Sequence, residues 1–237
     1  MIEIRRSSER GHANHGGLDS YHTFSFADYF DPNHVEFGPL QVINEDRVMP
    51  GTGFREHAHR DMEIISYVLD GELTHEDSTC TPRYVIRAGD VQRISAGRGV
   101  RHREFNKSKS RPLHFLQFWI KPNVLDVVPE YEERHFAPDE KRGRLRLIAS
   151  PGGTDNSVRI NQDARIYAGL FDGAEQISLE FEPGRRFYVH VARGAITANG
   201  EALAAGDALK LTDATTLSLS DGANAEVLVF DLPGDHH

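Results

Sequence analysis

The chain has a single cysteine, Cys80, among 237 residues. No disulfide can form within it, and its composition is compatible with a reducing compartment. No apolar run approaches the roughly 18 residues that a membrane-spanning helix requires. The opening Met1-Ile2-Glu3-Ile4-Arg5-Arg6 lacks the apolar stretch of a secretory signal. The chain is therefore expected to be cytoplasmic and to have no membrane partner. An excess of positive charge is missing as well: 27 Lys and Arg stand against 36 Asp and Glu, a formal net charge of −9. Direct nucleic-acid binding needs a basic footprint, so that class of partner is not expected. The basic residues gathered between Arg93 and Arg111 read as a solvated rim. Neither a CxxC pair nor a helical HExxH is present, which excludes the zinc sites those motifs spell out.

What is present is histidine, 13 in all, and 21 glycines and 11 prolines spread along the chain. That punctuation suits many short strands joined by turns, and the class expected is all-β. The stretch Gly53-Phe54-Arg55-Glu56-His57-Ala58-His59 places two histidines two apart. A second stretch, Gly99-Val100-Arg101-His102-Arg103-Glu104, places a histidine and a glutamate two apart. On a strand such residues share a face, separated by roughly 6.6 Å. If both strands face one cavity, His57, His59, His102 and Glu104 converge on a single point and can hold a metal. Met62 to Gly71 reads as a buried strand ending in a turn, which sets the first pair inside a β fold. Three imidazoles and one carboxylate form a nitrogen–oxygen donor set without sulfur, suited to Fe(II), Mn, Ni, Cu or Zn rather than Ca or Mg. Four protein ligands on a six-coordinate ion leave two positions open for a chelating substrate, or for a substrate and dioxygen, so a functional site is expected rather than a closed structural one.

Several stretches together resemble one family. They are Arg6-Ser7-Ser8-Glu9-Arg10-Gly11, His22 to Tyr29, His57-Ala58-His59-Arg60-Asp61-Met62-Glu63, Tyr67-Val68-Leu69-Asp70-Gly71-Glu72 and Gly89-Asp90-Val91-Gln92. Over most of the first 125 residues the chain is similar to the pirins, a branch of the two-domain cupins. Beyond that the resemblance is mostly architectural. It implies two tandem cupin barrels (double-stranded β-helix, or jelly-roll) packed together, with His57, His59, His102 and Glu104 as ligands of one divalent transition metal per chain, iron(II) foremost. It also implies a dioxygenase that cleaves a flavonol such as quercetin with O2 and releases CO. Glu104 would then be the catalytic residue, taking the substrate hydroxyl proton as well as serving the metal. The alternative implied by the family is a redox- or metal-sensing regulator that acts through a protein partner.

The second half repeats the strand logic of the first. Pro183-Gly184, then Phe187 to Thr197, then Ala205-Gly206-Asp207 parallels Pro50-Gly51, then Ile65 to Thr74, then Ala88-Gly89-Asp90. No second His-x-His accompanies it, and His190 falls on Tyr67. The expected division is 1–133, a metal-binding cupin domain, and 134–237, a cupin domain lacking metal ligands, with a charged, proline-marked linker around Val127 to Gly143. Other residues stay open. Glu63 shares the parity of His59 on a continuous strand and is either an acceptor that orients a ligand imidazole or a surface carboxylate. His12 and His15 belong to a flexible loop or to a metal-binding lid. His75 lines the cavity or is a hydrogen-bonded structural histidine. Phe54, Phe115 and Phe118 are candidates for an apolar wall. Cys80 lies in a turn and is expected to have no catalytic part.

Overall fold

Alternating burial along short strands dominates the computed structural model, which describes residues 1–78 and 84–234. Strands make up 58% of the chain and helix 4%, which settles the all-β class. Cys80 and the carboxy-terminal His236 and His237 lie outside the described residues. In chain order the first strands are β1 (Ile2–Arg5), β2 (Gly11–Asn14), β3 (Leu18–His22), β4 (Leu40–Val48), β5 (His57–His59), β6 (Glu63–Asp70) and β7 (Glu72–Asp77). β8 (Tyr84–Arg87), β9 (Asp90–Ser95), β10 (Val100–Phe105), β11 (Leu113–Ile120) and β12 (Glu130–His135) follow. One helical turn, α1 (Pro138–Lys141), leads to β13 (Leu145–Ser150), β14 (Val158–Arg159), β15 (Arg165–Phe171) and β16 (Ile177–Glu180). The last strands are β17 (Arg186–Ala198), β18 (Glu201–Ala204), β19 (Ala208–Thr212) and β20 (Thr216–Leu232).

The chain forms two compact units. One comprises Gly11–His135 and Val158–Gln162; the other comprises Met1–Arg10, Phe136–Ser157 and Asp163–His237. A single cut in sequence does not describe this arrangement. β1 pairs antiparallel with β19, Ile4 opposite Leu209. The Asp207 carboxylate fixes the strand end by accepting from Arg6 Nη1 at 2.8 Å and from the Ser7 amide at 2.7 Å. The stretch expected as linker contains β12 and α1, and β12 pairs along its whole length with β9.

In the first unit, a seven-stranded sheet runs β12-β9-β6-β11-β4-β3-β2 and a four-stranded sheet runs β5-β10-β7-β8. The period of two decides what each strand turns inward. On β10, Val100, His102 and Glu104 are buried while Arg101 and Arg103 are exposed. The register places Phe115, Gln117 and Trp119 of β11 beside Val68, Ser66 and Ile64 of β6. The interior is layered as a result. Val48, Val68, Leu73, Ile86, Leu113 and Phe115 form one apolar cluster, and Ile64, Ile94, Ala96 and Val100 form another. A polar band of Asp46, Ser66, His75, His102, Glu104 and Gln117 is buried as well. Burying that many polar groups is costly unless each finds a partner, so the band is where function is to be sought.

The second unit has the order β1-β19-β17-β20-β15-β13, with β16 on β20 and β18 on β17. Its core is aliphatic and aromatic, built from Phe171, Phe187, Val189, Val191, Leu209 and Val229 among others.

Candidate metal centre

β10 is the middle of three strands that supply the site. On one side it pairs with β5, His102 opposite His57 and Val100 opposite His59. On the other it pairs with β7, His102 opposite Asp77 and Glu104 opposite His75. β5 is short and keeps both histidines on the inner face while Ala58 is exposed. The loop before β5 is pinned to the end of β10, where Phe54 N donates to Glu104 O at 2.7 Å and Asn106 N donates to Thr52 O at 2.9 Å. Gly53 makes this approach feasible, because a Cβ there would lie 2.4 Å from the Phe105 Cα.

These pairings bring His57, His59 and His102 into one group, with a ligand nitrogen from each lying within 4.8 Å of the others. Their ring centroids are 4.5–4.8 Å apart. The nitrogens are presented selectively. His57 Nδ1 is 2.8 Å from the Arg55 carbonyl, which leaves Nε2 inward, 3.1 Å from His102 Nε2. His59 Nε2 is buried without any hydrogen-bond partner. An orphaned imidazole nitrogen beside two converging ones is costly in an empty protein interior, and a cation would satisfy it. Burial, and after it the neighbouring histidines, holds His59 and His102 down to about 3. Both rings are therefore neutral at pH 7, the form in which imidazole binds metal. The donor set fits a divalent transition ion.

Glu104 is buried on the same strand face but stands outside that group of three. Gln117 Nε2 donates to its Oε2 at 2.7 Å, and Ser66 Oγ donates to its Oε1 at 3.3 Å. Trp119, not singled out from the sequence, sits edge-on to His59 at 4.8 Å and donates its Nε1–H to Gln117 Oε1 at 3.0 Å. Gln117 thus links Trp119 to Glu104. It was hidden inside a run that reads as apolar, although period-two counting places it on the face of Phe115.

The remaining candidates separate cleanly. Glu63 is neither a surface carboxylate nor a partner of the clustered histidines. Its Oε1 accepts from Ser95 Oγ at 2.7 Å and from Asn161 Nδ2 at 2.9 Å, and burial raises its pKa. His75 is fully buried, with Nε2 3.2 Å from His102 Nδ1. Phe54 lies 6.5 Å from His57 and meets Phe115 edge-on at 6.4 Å, so these two form a wall beside the cluster. Phe118 has the opposite parity on β11 and does not face it. His12 lies on β2 rather than in a loop, stacked on Tyr21 at 4.5 Å and paired with Asp19 at 2.6 Å. His12 and His15 line a cavity of about 460 Å3 together with Leu18, Ser20, His22, Phe26, Tyr29 and Phe54. His190 is buried on β17, and among the described residues no second group of potential metal ligands accompanies it.

The family model for pirin matches residues 3–120, and the model for the quercetinase C-terminal cupin domain matches residues 147–232. The chain is 43% identical over 233 residues to quercetin 2,3-dioxygenase of Escherichia coli (strain K12), covering 98% of this chain and 99% of that protein. The crystal structure of the bacterial pirin YhhW from Escherichia coli in complex with nickel(II) superposes with a TM-score of 0.94 at 42% identity, covering 99% of this chain and 100% of that one. A quercetin 2,3-dioxygenase from Acinetobacter baumannii shares the fold, with a TM-score of 0.79 at 22% identity over 98% of this chain and 86% of its own.

Proposed function

The chain belongs to the pirin family, and from that premise we propose that it is a metal-dependent dioxygenase of the quercetin 2,3-dioxygenase type. It opens a flavonol or a similar planar aromatic with O2 and releases CO, at a mononuclear centre held by His57, His59, His102 and Glu104. The observation that carries the reading is the convergence of three imidazoles, one of whose nitrogens is buried and unpartnered. Iron(II) is the proposed ion, and the donor set also suits Mn, Ni, Cu and Zn. When bound, iron(II) would supply Lewis acidity toward a substrate oxygen and one-electron chemistry toward O2.

The protein's own side chains do the rest. Gln117 ties Glu104 Oε2 closely, whereas Ser66 holds Oε1 by a long contact of 3.3 Å. Oε1 is therefore the atom that takes the proton from the substrate hydroxyl. Phe54 lines the cavity of about 460 Å3 and lies 6.5 Å from His57, so the cavity adjoins the cluster, and its size is within the usual range for small-molecule sites. Phe26, Tyr29 and Phe54 give that cavity aromatic faces for a planar ring. His57 and His59 are each part-exposed. An accessible cluster beside an aromatic cavity favours turnover over a sensor that would keep its metal sealed.

The test is turnover. Apoprotein loaded with Fe(II), and separately with Mn, Ni, Cu and Zn, is mixed with quercetin in air while flavonol absorbance and CO are followed. Metal-dependent loss of absorbance with stoichiometric CO is expected. A rate equal to that of apoprotein across the metals and several flavonols would refute the activity.

A further inference from the structure

The two nitrogens of His102 face opposite directions. Nε2 looks into the cluster, 3.1 Å from His57 Nε2, whereas Nδ1 looks away from it, 3.2 Å from His75 Nε2. His75 comes from β7, the strand on the far side of β10, and reaches His102 diagonally, since its direct cross-strand partner is Glu104. The ring is fully buried, and its own Nδ1 makes no hydrogen bond; Asp77 Oδ2, two residues along the same face, is 3.7 Å from it. Tyr131 stacks on the His75 ring at 5.5 Å and 12°, and Tyr84 stacks on Tyr131 at 3.9 Å and 16°. Those rings cover one face of the buried His75 ring.

A metal-bound neutral imidazole carries its proton on the nitrogen that the metal does not use, and that N–H needs an acceptor. For His57 the backbone supplies one, the Arg55 carbonyl. For His102 the group at that place is another imidazole, which accepts at Nε2 only if its own proton is on Nδ1. The carboxylate near Nδ1 favours that form. The tautomers of the two rings are thus coupled, from Asp77 through His75 to His102.

We propose that His75, with the Asp77 carboxylate near its Nδ1, is a positioning residue that fixes His102 as the Nδ1–H tautomer and so presents His102 Nε2 to the metal. The proposal rests on the metal-centre reading above. Its predicted effect is on how tightly the metal is held, since removing such a partner typically lowers metal affinity by about 10–100-fold.

Calorimetric titration of apoprotein with nickel(II) tests it in the parental chain, in His75→Leu and in His75→Gln. Leu removes the acceptor. Gln loses the imidazole and its stacking but keeps an amide oxygen that can accept near the position of Nε2. The expected result is weakening by about 10–100-fold in His75→Leu and recovery of most of that loss in His75→Gln. A packing role alone would weaken both variants alike, and that result overturns the proposal, as does a Leu variant that binds like the parent. If the Leu variant does not fold, long-range 1H–15N spectra of the parental protein loaded with zinc(II) decide instead. A proton on His102 Nδ1 with Nε2 metal-bound is expected, and the reverse assignment refutes the relay alone. A parental protein that takes up neither nickel nor zinc refutes the metal centre itself, and the relay with it.

Discussion

Two carboxyl groups in the interior of the first unit have different environments, and each gives a separate expectation. Glu104 Oε1 is the proposed proton acceptor, and Gln in its place cannot take a proton. Glu104→Gln is expected to lower kcat by about 10²–10⁴-fold while the three imidazoles still take up metal; parallel assays of rate and metal content check this, and an unchanged rate would remove Glu104 from the chemistry. Asp46 is fully buried, accepting from Ser20 Oγ at 2.5 Å, and burial pushes its carboxyl up to about 7, with the charges of Glu104 and Glu45 adding to the effect. Because the folded protein holds that proton more tightly than the unfolded chain does, the contribution to stability is complete below about pH 4 and is lost as the pH rises through about 7. The loss is on the order of a few kcal/mol. Urea unfolding of apoprotein at pH 5 and pH 8 should show a smaller pH difference for Asp46→Asn than for the parent. Equal differences would mean that Asp46 is already ionised in the folded state.

At the level of strands, the site depends on a loop held against the end of β10. A methyl group at Gly53 would collide with the Phe105 backbone, and overpacking of this kind costs about 1–3 kcal/mol. Gly53→Ala is expected to lose stability of that order by denaturant titration; an unchanged midpoint would show that the loop yields freely. The strand period also explains what could be read from the sequence. His57 with His59, and His102 with Glu104, each lie within one uninterrupted strand, so the two residues of each pair share a face. Counting by two does not reach Glu63, which lies beyond the end of β5. Asp61, at φ 48°, turns the backbone between β5 and β6, and parity does not survive such a turn. Gln117 was passed over for the opposite reason: it sits in a strand buried on both faces, where polar and apolar residues no longer alternate with exposure. Phe115 and Phe118 were undecided for the same cause, and only the register of β11 against β6 separates them.

Over the whole molecule, the repeat of strand pattern between the halves was visible as sequence. The pairing of β1 with β19 was not, because an Ile-Glu-Ile alternation announces a strand without naming its neighbour. The account places one metal site in one unit, with none in the other among the described residues. The most direct test is the ratio of bound transition metal to protein in freshly purified material, for the parental chain and for His57→Ala, His59→Ala and His102→Ala. The parental chain is expected to carry close to one ion, and each variant well under half of that, with its strand signal by circular dichroism retained. Near-full metal in any of the three variants, or a parental ratio close to two, would contradict a single centre built on these histidines.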